Sequence, residues 1–252
     1  MFLLDARLTA VRDVARGMSV LTLDAPEIAA SVRAGQFVNL GWAAGPLLRR
    51  PFSVYRTDGD RIEVVLKAVG VGTAQLLAKT PGAMVSCLGP LGRGFELPTG
   101  ARSAVLISGG LGVASMPLAA REARAKGVRV TWVHGARGAD ELCSEWEGDE
   151  VVWATDDGTQ GFHGTAVDAA PDGDVVIACG PNRMLGAVAQ RWPEAQVAVE
   201  TYMGCGTGVC LGCAVPLTRG GYDRACKEGP VYRAADVDWT ALPSHLPYAV
   251  LA

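Results

Sequence analysis

The sequence predicts a protein of the α/β plus β class, with a small antiparallel barrel, a parallel α/β domain and a cysteine-rich C-terminal module. Three observations lead to this prediction. The first part of the chain contains short segments rich in β-branched residues, separated by Gly, Pro and Asp. Strand-like and helix-like segments then alternate, which is typical of βαβ units. Four of the seven cysteines fall near the C-terminus among glycines.

Composition narrows the possible functions. The chain has 252 residues, of which 49% are hydrophobic and 19% charged, so a well-buried core is expected. A net charge of -3 gives no electrostatic reason to expect nucleic acid or an anionic membrane as a partner. Charges at Asp5 and Arg7 leave no room for the apolar core of a secretory signal, and no apolar run has transmembrane length. We therefore expect a cytoplasmic protein, in which clustered cysteines are metal ligands or catalytic groups more often than disulfides.

In the first region, "GMSVLTLDAP", "GQFVNLGW" and "RIEVVLKAVG" are predicted strands and "TAQLLAKT" a short helix. Two motifs lie among them. In "RRPFSV" (49–54), arginine can hold a pyrophosphate in its fork, although Arg-Pro beside a strand is also common at a plain sheet edge. The Gly-x-Gly-Thr turn from Gly70 to Thr73 opens the helix and is either an anion site or a simple capping turn.

The second region alternates strands and helices. The predicted strands are "SAVLIS", "VRVTWVHG", "EVVWAT" and "DVVIACG". The predicted helices are "VASMPLAAREARAKG", which ends at a Gly127 cap, "ADELCSEW" and "PNRMLGAVAQRW". This order favours a parallel sheet with helices on its faces.

Two glycine-containing turns follow strands of this predicted sheet. "GGLGVAS" (109–115) follows the first strand, where parallel-sheet folds bind a dinucleotide phosphate. Cys179, which precedes Gly-Pro, either faces a bound ring or is a buried strand-end cysteine. No acidic residue stands convincingly at the end of the second strand, so this rule does not separate NAD from NADP.

The C-terminal cysteines have the spacing C-x4-C-x2-C-x12-C, formed by Cys205, Cys210, Cys213 and Cys226. The first three follow the spacing of plant-type [2Fe–2S] sites. A structural zinc site or a pair of disulfides is the alternative. Interleaved glycines allow backbone amides to turn toward sulfur, and the weak periodicity of this segment predicts a module folded around something other than a hydrophobic core. Cys87 and Cys143 are expected to be small buried hydrophobes.

Taken in order, these motifs resemble the ferredoxin–NADP reductase superfamily: Arg-Pro-x-Ser, Gly-x-Gly-Thr, "GPLGRGF", "GGLGVA", "GAR", "DDG" and "CGP". The segment "ETYMGCGTGVCLGC" with "CKEGPVY" resembles the electron transfer subunits of class 1B dihydroorotate dehydrogenases. The resemblance covers nearly the whole chain. It implies a six-stranded antiparallel FAD-binding barrel (1–98), an NAD-binding α/β domain (99–199), and a [2Fe–2S] cluster module with a tail (200–252).

The resemblance also implies the site residues. FAD would be bound by Arg50, Pro51, Phe52, Ser53, Lys67, Ala68, Val69, Gly72 and Thr73. NAD would be bound by Gly109, Gly110, Gly112, Cys179, Gly180 and Pro181. The cluster ligands would be Cys205, Cys210, Cys213 and Cys226, and no residue is expected to act as a catalytic acid or base. Phe52 and Ser108 depart from the residues common at their positions.

The resemblance implies a subunit that carries electrons from a partner's FMN, through [2Fe–2S] and FAD, to NAD+. The partner would be the FMN-containing catalytic subunit of dihydroorotate dehydrogenase, in a heterotetramer with two copies of each chain, acting in pyrimidine biosynthesis. A flavin and iron–sulfur diaphorase subunit of a hydrogenase or of a bifurcating transhydrogenase is the nearest alternative. A zinc-stapled nucleotide-binding regulator is the alternative from another functional class.

Overall fold

A computed structural model describes residues 1–43 and 45–244, and the last eight residues of the predicted tail lie outside that range. The first region forms a closed barrel with the strand order β1-β2-β5-β4-β3-β6, and all its neighbouring strands are antiparallel. This confirms the predicted six-stranded barrel. Its elements are β1 (Phe2–Ala15), β2 (Met18–Asp24), α1 (Pro26–Ala29), β3 (Phe37–Gly41), β4 (Arg50–Asp58), β5 (Arg61–Lys67), α2 (Val71–Leu77) and β6 (Met84–Leu91).

Strand β3 has two different faces because successive side chains of a strand point in opposite directions. Val38 and Leu40 belong to the barrel core. Phe37 instead packs in a second hydrophobic cluster, outside the barrel, that also contains Cys213 and Cys226. The outer face of β3 therefore meets the C-terminal module.

The second region forms a mostly parallel sheet, as the sequence predicted. The strand order is β10-β9-β8-β7-β11-β12-β15, in which β15 (Val231–Arg233) comes from the C-terminal segment. Among its described strands, only the edge strand β15 runs antiparallel to its neighbour. The elements from residue 99 to 199 are β7 (Ser103–Gly109), α3 (Met116–Ala125), β8 (Arg129–Ala136), β9 (Glu150–Thr155), β10 (Phe162–His163), α4 (Ala166–Ala169), β11 (Val175–Cys179), α5 (Asn182–Arg191) and β12 (Gln196–Ala198). A 3-10 turn, Gly110–Ser115, joins β7 to α3.

The predicted helix "ADELCSEW" is wrong. The structure has only a short 3-10 turn at Ala139–Glu141, after which the chain is extended. The amide of Ser144 donates to Val14 O of the barrel at 2.7 Å, and Cys143 is buried 3.7 Å from the Tyr55 hydroxyl. Contacts with the barrel therefore override the local helical pattern. The burial of Cys87 and Cys143 agrees with the prediction.

The C-terminal segment differs from its prediction in one respect. It forms a hairpin of β13 (Ala214–Pro216) and β14 (Tyr222–Arg224), and then supplies β15 (Val231–Arg233) to the edge of the parallel sheet. Val215, Leu217, Ala225 and Tyr232 are buried in one hydrophobic cluster with residues of the α/β domain. The segment therefore does share a hydrophobic core, because its short strands are completed by neighbouring elements.

Charged side chains connect the barrel to the α/β domain. The guanidinium of Arg12 lies 2.7 Å from Glu63 of the barrel and 2.7 Å from Glu145 of the second domain. Arg56 also pairs with Glu145 and contacts Glu147 at 2.8 Å. These partly buried pairs join the two domains through several charge-assisted hydrogen bonds.

No helix among the described residues is long and apolar enough to cross a membrane.

Candidate cofactor sites

The two barrel motifs that the sequence assigned to FAD meet in space. Arg50 begins β4 and Gly72 lies in the first turn of α2. A Cβ added at Gly72 would lie 3.1 Å from the Arg50 Nε atom, so glycine leaves room for the guanidinium there. Arg50 also donates to the backbone O of Leu48 at 2.6 Å. This arrangement places a bidentate cation beside the first turn of α2, where backbone amides have no partner within the helix. Such a combination is suited to a pyrophosphate.

Thr73 organises the turn before α2. Its hydroxyl oxygen accepts hydrogen bonds from the amides of Val69 (2.9 Å) and Gly70 (3.1 Å). Lys67 ends β5 and lies 3.6 Å from the Glu141 carboxylate, while the side chain of Ala68 is exposed. The predicted residues from 67 to 73 therefore form one continuous turn at the rim of the barrel.

The residues of the Arg-Pro-Phe-Ser motif point to different sides of the barrel wall. Pro51 and Ser53 pair in register with Asn39 and Phe37 of β3, and cross-strand partners share a face. They therefore belong to the outer face. Phe52 packs in the barrel core, which leaves its backbone as the group available to a ligand outside.

The predicted NAD residues converge at the carboxyl ends of two neighbouring strands. β7 and β11 are adjacent in the sheet, and the chain leaves them toward opposite edges, so their ends form a topological switch point. A Cβ on Gly112 would overlap the carbonyl of Cys179, and a Cβ on Gly109 would lie 2.8 Å from Met184 Sδ. The structure thus packs the "GGLG" turn directly against the "CGP" turn.

Cys179 lies at this crevice in contact with Ser115, whose hydroxyl is 3.6 Å from its sulfur. Burial raises the pKa of the Cys179 thiol to about 11, so it is a neutral group at physiological pH. Burial also raises the pKa of the nearby Glu200 carboxyl. Burial therefore gives this part of the crevice a low-dielectric environment, in which the Cys179 thiol carries no charge.

The four C-terminal cysteines form two pairs. The amide of Cys205 lies 3.4 Å from Cys210 Sγ, and the amide of Cys210 lies 3.4 Å from Cys205 Sγ. The sulfurs of Cys213 and Cys226 are 3.3 Å apart and buried. Within the described residues, no three His, Cys, Asp or Glu side chains are grouped as ligands of a single metal ion. Two thiol pairs are what a cluster of two irons needs, because a [2Fe–2S] site with four cysteine ligands divides them between the irons.

Backbone geometry turns amides toward these sulfurs. Gly206 and Gly208 have φ values of +73° and +88°, which favour glycine. Desolvation opposes ionisation of Cys205, but amide hydrogen bonds from Cys210 and Thr207 outweigh it and lower the pKa of this thiol to about 5. The loop is therefore built to hold thiolate, which is the form of cysteine that binds metal.

Comparison with known proteins agrees with this geometry. Residues 200–238 match the iron–sulfur cluster binding domain of dihydroorotate dehydrogenase B. The dihydroorotate dehydrogenase B (NAD(+)) electron transfer subunit of Desulforamulus reducens is 35% identical over 256 residues, covering 93% of this chain and 98% of the relative. The corresponding subunit of Bacillus caldolyticus is 39% identical over 236 residues, covering 86% of this chain and 91% of the relative.

This chain belongs to the family of dihydroorotate dehydrogenase B electron transfer subunits. A solved NADH-dependent reduced ferredoxin–NADP oxidoreductase, described for flavin-based electron bifurcation, has the same architecture, with a TM-score of 0.84 and 27% identity over 94% of this chain and 91% of that one. Phthalate dioxygenase reductase shares the fold at a TM-score of 0.62 and 18% identity, covering 94% of this chain and 95% of that one. The predicted family and oxidoreductase class are confirmed, and so is the cofactor set of FAD, [2Fe–2S] and NAD.

Two residues contact the loop formed by residues 205–213, called here the cysteine loop, and no sequence pattern predicts either contact. Asn39 of β3 donates from Nδ2 to the carbonyl oxygen of Cys205 at 3.2 Å. Arg224 of β14 donates to the carbonyl oxygen of Gly208 at 2.9 Å. Single polar residues far from or between the cysteines show no spacing pattern, so only the fold reveals these contacts.

A buried histidine lies behind the candidate nucleotide crevice. His134 Nδ1 lies 2.8 Å from the Ser108 hydroxyl, which accepts a hydrogen bond from Trp132 Nε1 at 2.8 Å. The hydroxyl oxygen can accept from both neighbours, so the direction of the bond to His134 depends on the tautomer of the imidazole. His134 is fully buried, and burial lowers its pKa to about 4, so the ring is neutral. The network fixes the ends of β7 and β8 behind the candidate nucleotide crevice.

Proposed function

We propose that this chain is the electron transfer subunit of a dihydroorotate dehydrogenase that passes electrons from a partner's FMN to NAD+. The observation that carries the proposal is the contact between the cysteine loop and the outer barrel face that presents Pro51 and Ser53. This contact brings the candidate cluster and flavin sites together within a chain of the matching family.

Three cofactors would divide the chemistry: nicotinamide exchanges a hydride, an iron–sulfur cluster exchanges single electrons, and flavin does both. The protein's own part is to bind and orient these groups. No side chain of the candidate sites is assigned as an acid or base.

The barrel residues fit FAD. The guanidinium of Arg50 beside Gly72 would hold the pyrophosphate, and Thr73 keeps the adjoining turn in shape. Pro51 and Ser53 would face the flavin from the outer side of β4. Lys67, Ala68 and Val69 would border it from the rim of the barrel.

The sheet residues fit a dinucleotide. Gly109, Gly110 and Gly112 would let the NAD pyrophosphate approach the backbone, and Cys179, Gly180 and Pro181 would line the nicotinamide side. The mutual packing of these two turns supports the assignment, since an added Cβ at Gly112 would separate them. A neutral Cys179 is compatible with a neutral or cationic ring.

The thiols fit a [2Fe–2S] cluster. Cys205 with Cys210 would hold one iron, and Cys213 with Cys226 the other, as their two close pairs suggest. Cys210 is exposed, whereas Cys213 and Cys226 are buried. The pair that contains Cys210 would therefore face the partner, and the buried pair would face the interior.

The partner would be an FMN-containing catalytic subunit that oxidises dihydroorotate, in a cytoplasmic heterotetramer with two copies of each chain. Val209 and Leu211 flank the exposed Cys210 and have 81% and 64% of their surface exposed. Exposed apolar side chains around a redox group are suited to a protein interface. We propose that the partner covers this part of the cysteine loop.

Co-expression with the catalytic subunit tests the proposal. The complex should contain FAD, FMN and a [2Fe–2S] cluster and should reduce NAD+ with dihydroorotate. The isolated, cofactor-loaded chain should reduce dyes with NADH but should not oxidise dihydroorotate. Oxidation of dihydroorotate by the isolated chain would contradict the subunit assignment, and a colourless protein with stoichiometric zinc would contradict the redox assignment.

A diaphorase role in a bifurcating enzyme is the second candidate, favoured by the likeness to the NADH-dependent ferredoxin–NADP oxidoreductase. The two candidates differ in their partner. Purification of the chain from its native source should recover a dihydroorotate-oxidising subunit. Recovery of a ferredoxin-reducing or hydrogenase subunit in its place would favour the second candidate.

A further inference from the structure

Asn39 joins the flavin-binding barrel to the cysteine loop. It lies on β3 with a fully buried side chain, and its Nδ2 donates to the carbonyl oxygen of Cys205 at 3.2 Å. Because a carbonyl oxygen only accepts, the nitrogen of the amide must face the loop. The contact thus connects a barrel strand directly to the backbone of a proposed cluster ligand.

The same residue is the register partner of Pro51 in the Arg-Pro-Phe-Ser motif. Cross-strand partners lie on one face of a sheet, so Asn39 and Pro51 are neighbours on the outer barrel surface. Ser53 follows on that face, opposite Phe37. One strand face therefore carries both the contact to the cysteine loop and the residues proposed to face the flavin.

The loop is shaped to accept this contact. Gly206 follows Cys205 with a φ of +73°, and a Cβ added there would overlap Asn39 Nδ2 and lie 3.4 Å from Leu91 Cδ1. Glycine is therefore required at this position both by its backbone conformation and by the proximity of Asn39.

The choice of asparagine is not explained by packing alone. Its Oδ1 is buried with no hydrogen-bond partner among the described residues, which is an unfavourable state for an amide oxygen. An apolar residue such as leucine would avoid this penalty. The directional hydrogen bond to Cys205 is what an apolar side chain would lose.

Resting on the proposed function, we propose that Asn39 is a positioning residue that fixes the cluster loop against the flavin-binding face and so sets the path between flavin and cluster. It acts through the Cys205 backbone and is not itself a ligand. Asn39→Leu removes the hydrogen bond and keeps the branched shape of the side chain. Asn39→Asp replaces the donor with a group that repels the carbonyl oxygen. Gly206→Ala tests the same contact from the loop side.

The test uses the complete, cofactor-loaded chain and three readouts: flavin and iron content, the electron paramagnetic resonance spectrum of the reduced cluster, and stopped-flow reduction by NADH. In each variant we expect unchanged FAD content and an unchanged phase of flavin reduction. We expect the following phase of cluster reduction to slow, the cluster resonance to broaden, and the cluster to be lost about tenfold faster, as for other partners of metal ligands.

Ser19→Ala is the matched control, since Ser19 is a buried polar residue of the same barrel that lies on β2 and bonds Asp13. It should change none of the three readouts. Wild-type behaviour of Asn39→Leu and Gly206→Ala in a protein that contains both cofactors would overturn the inference. If Asn39→Leu does not fold, Gly206→Ala serves as the test: slower cluster reduction would support the inference, and wild-type behaviour would overturn it. Absence of flavin and cluster from the wild-type protein would instead overturn the proposed function.

Discussion

The guanidinium of Arg224 donates from Nη1 to the carbonyl oxygen of Gly208 at 2.9 Å. This hydrogen bond connects strand β14 of the C-terminal hairpin to the cysteine loop. The same guanidinium pairs with Glu228, whose carboxylate also accepts from the Arg224 amide at 2.9 Å. Hydrogen bonds from Arg224 lower the pKa of the Glu228 carboxyl to about 2, so this pair stays charged across the physiological range. A fixed cation therefore lies beside Cys226 and Cys213, with which it interacts electrostatically.

Arg224→Gln should loosen the loop and lower the reduction potential of the cluster. The variant loses the hydrogen bond to the Gly208 carbonyl, which holds the loop in place. It also loses a positive charge, and a nearby positive charge stabilises the more negative, reduced cluster. Cluster loss should become about tenfold faster, as for other residues that support metal ligands. Potentiometric titration followed by visible absorption measures the shift. Arg219→Gln, which removes the same charge from an exposed turn, should leave the potential near that of the wild type.

Cys210→Ser should remove the cluster absorption and leave FAD bound. Cys210 lies in the cysteine loop, whereas the proposed FAD residues lie on the barrel. NADH-dependent reduction of the flavin should continue, and electron delivery to the partner should cease. Absorption spectra with iron and flavin analysis measure both quantities. Joint loss of flavin and cluster would contradict the separate ligand sets.

Gly112→Ala should weaken nucleotide binding. The new methyl group would overlap the Cys179 carbonyl, and overpacking of this kind costs about 1–3 kcal/mol of stability. A displacement of the "GGLG" turn should raise the KM for NADH by about tenfold or more. The control is Gly186→Ala in α5, where the nearest described atom to the added Cβ is Trp239 Cβ, at an ordinary contact distance of 3.7 Å. A wild-type KM in the Gly112 variant would contradict the proposed role of this turn.

The stability of the protein should fall between pH 6.5 and pH 5. Burial lowers the pKa of His134 to about 4, with a further lowering by Lys67, while an unfolded histidine titrates near 6.5. The unfolded state therefore binds the extra proton in this window, and stability is fully present only above it. The loss at pH 5 is about 2 kcal/mol from this residue.

His134→Gln should show a smaller drop in thermal midpoint between pH 7 and pH 5 than the wild type does. His163→Gln, at an exposed position on β10, should keep the wild-type drop. Equal drops in wild type and His134→Gln would show that another group controls the acid sensitivity.

Val209→Glu with Leu211→Glu should weaken the complex with the catalytic subunit. Each apolar side chain contributes about 1.5–3 kcal/mol when fully buried, so the affinity should fall at least tenfold. Analytical ultracentrifugation of the mixed subunits measures the affinity. NADH-dependent dye reduction by the isolated chain should not change. Met84→Glu, an exposed substitution on β6, should leave the affinity unaltered, and tight association of the double variant would contradict the proposed interface.

Local patterns in the sequence were sufficient to predict a barrel, a parallel sheet with helices and the cysteine cluster. Alternation of apolar residues, glycine at turns and the C-x4-C-x2-C spacing each depend on near neighbours in the chain. The helix predicted around Cys143 failed because its residues pack against the barrel strands at Val14 and Tyr55. Those contacts join residues that lie far apart in the chain, and no local pattern encodes them.

The amino-acid sequence alone determined which residues resemble cofactor ligands and which family they indicate. The tertiary structure alone brought Arg50 to Gly72, Gly112 to Cys179 and Asn39 to Cys205. The physical reason is that these contacts form when separate strands close a barrel and meet a sheet edge. Which residues meet in these contacts depends on packing and strand register across the whole fold. The sequence motifs, in contrast, depend only on a few adjacent residues and can be read without the fold.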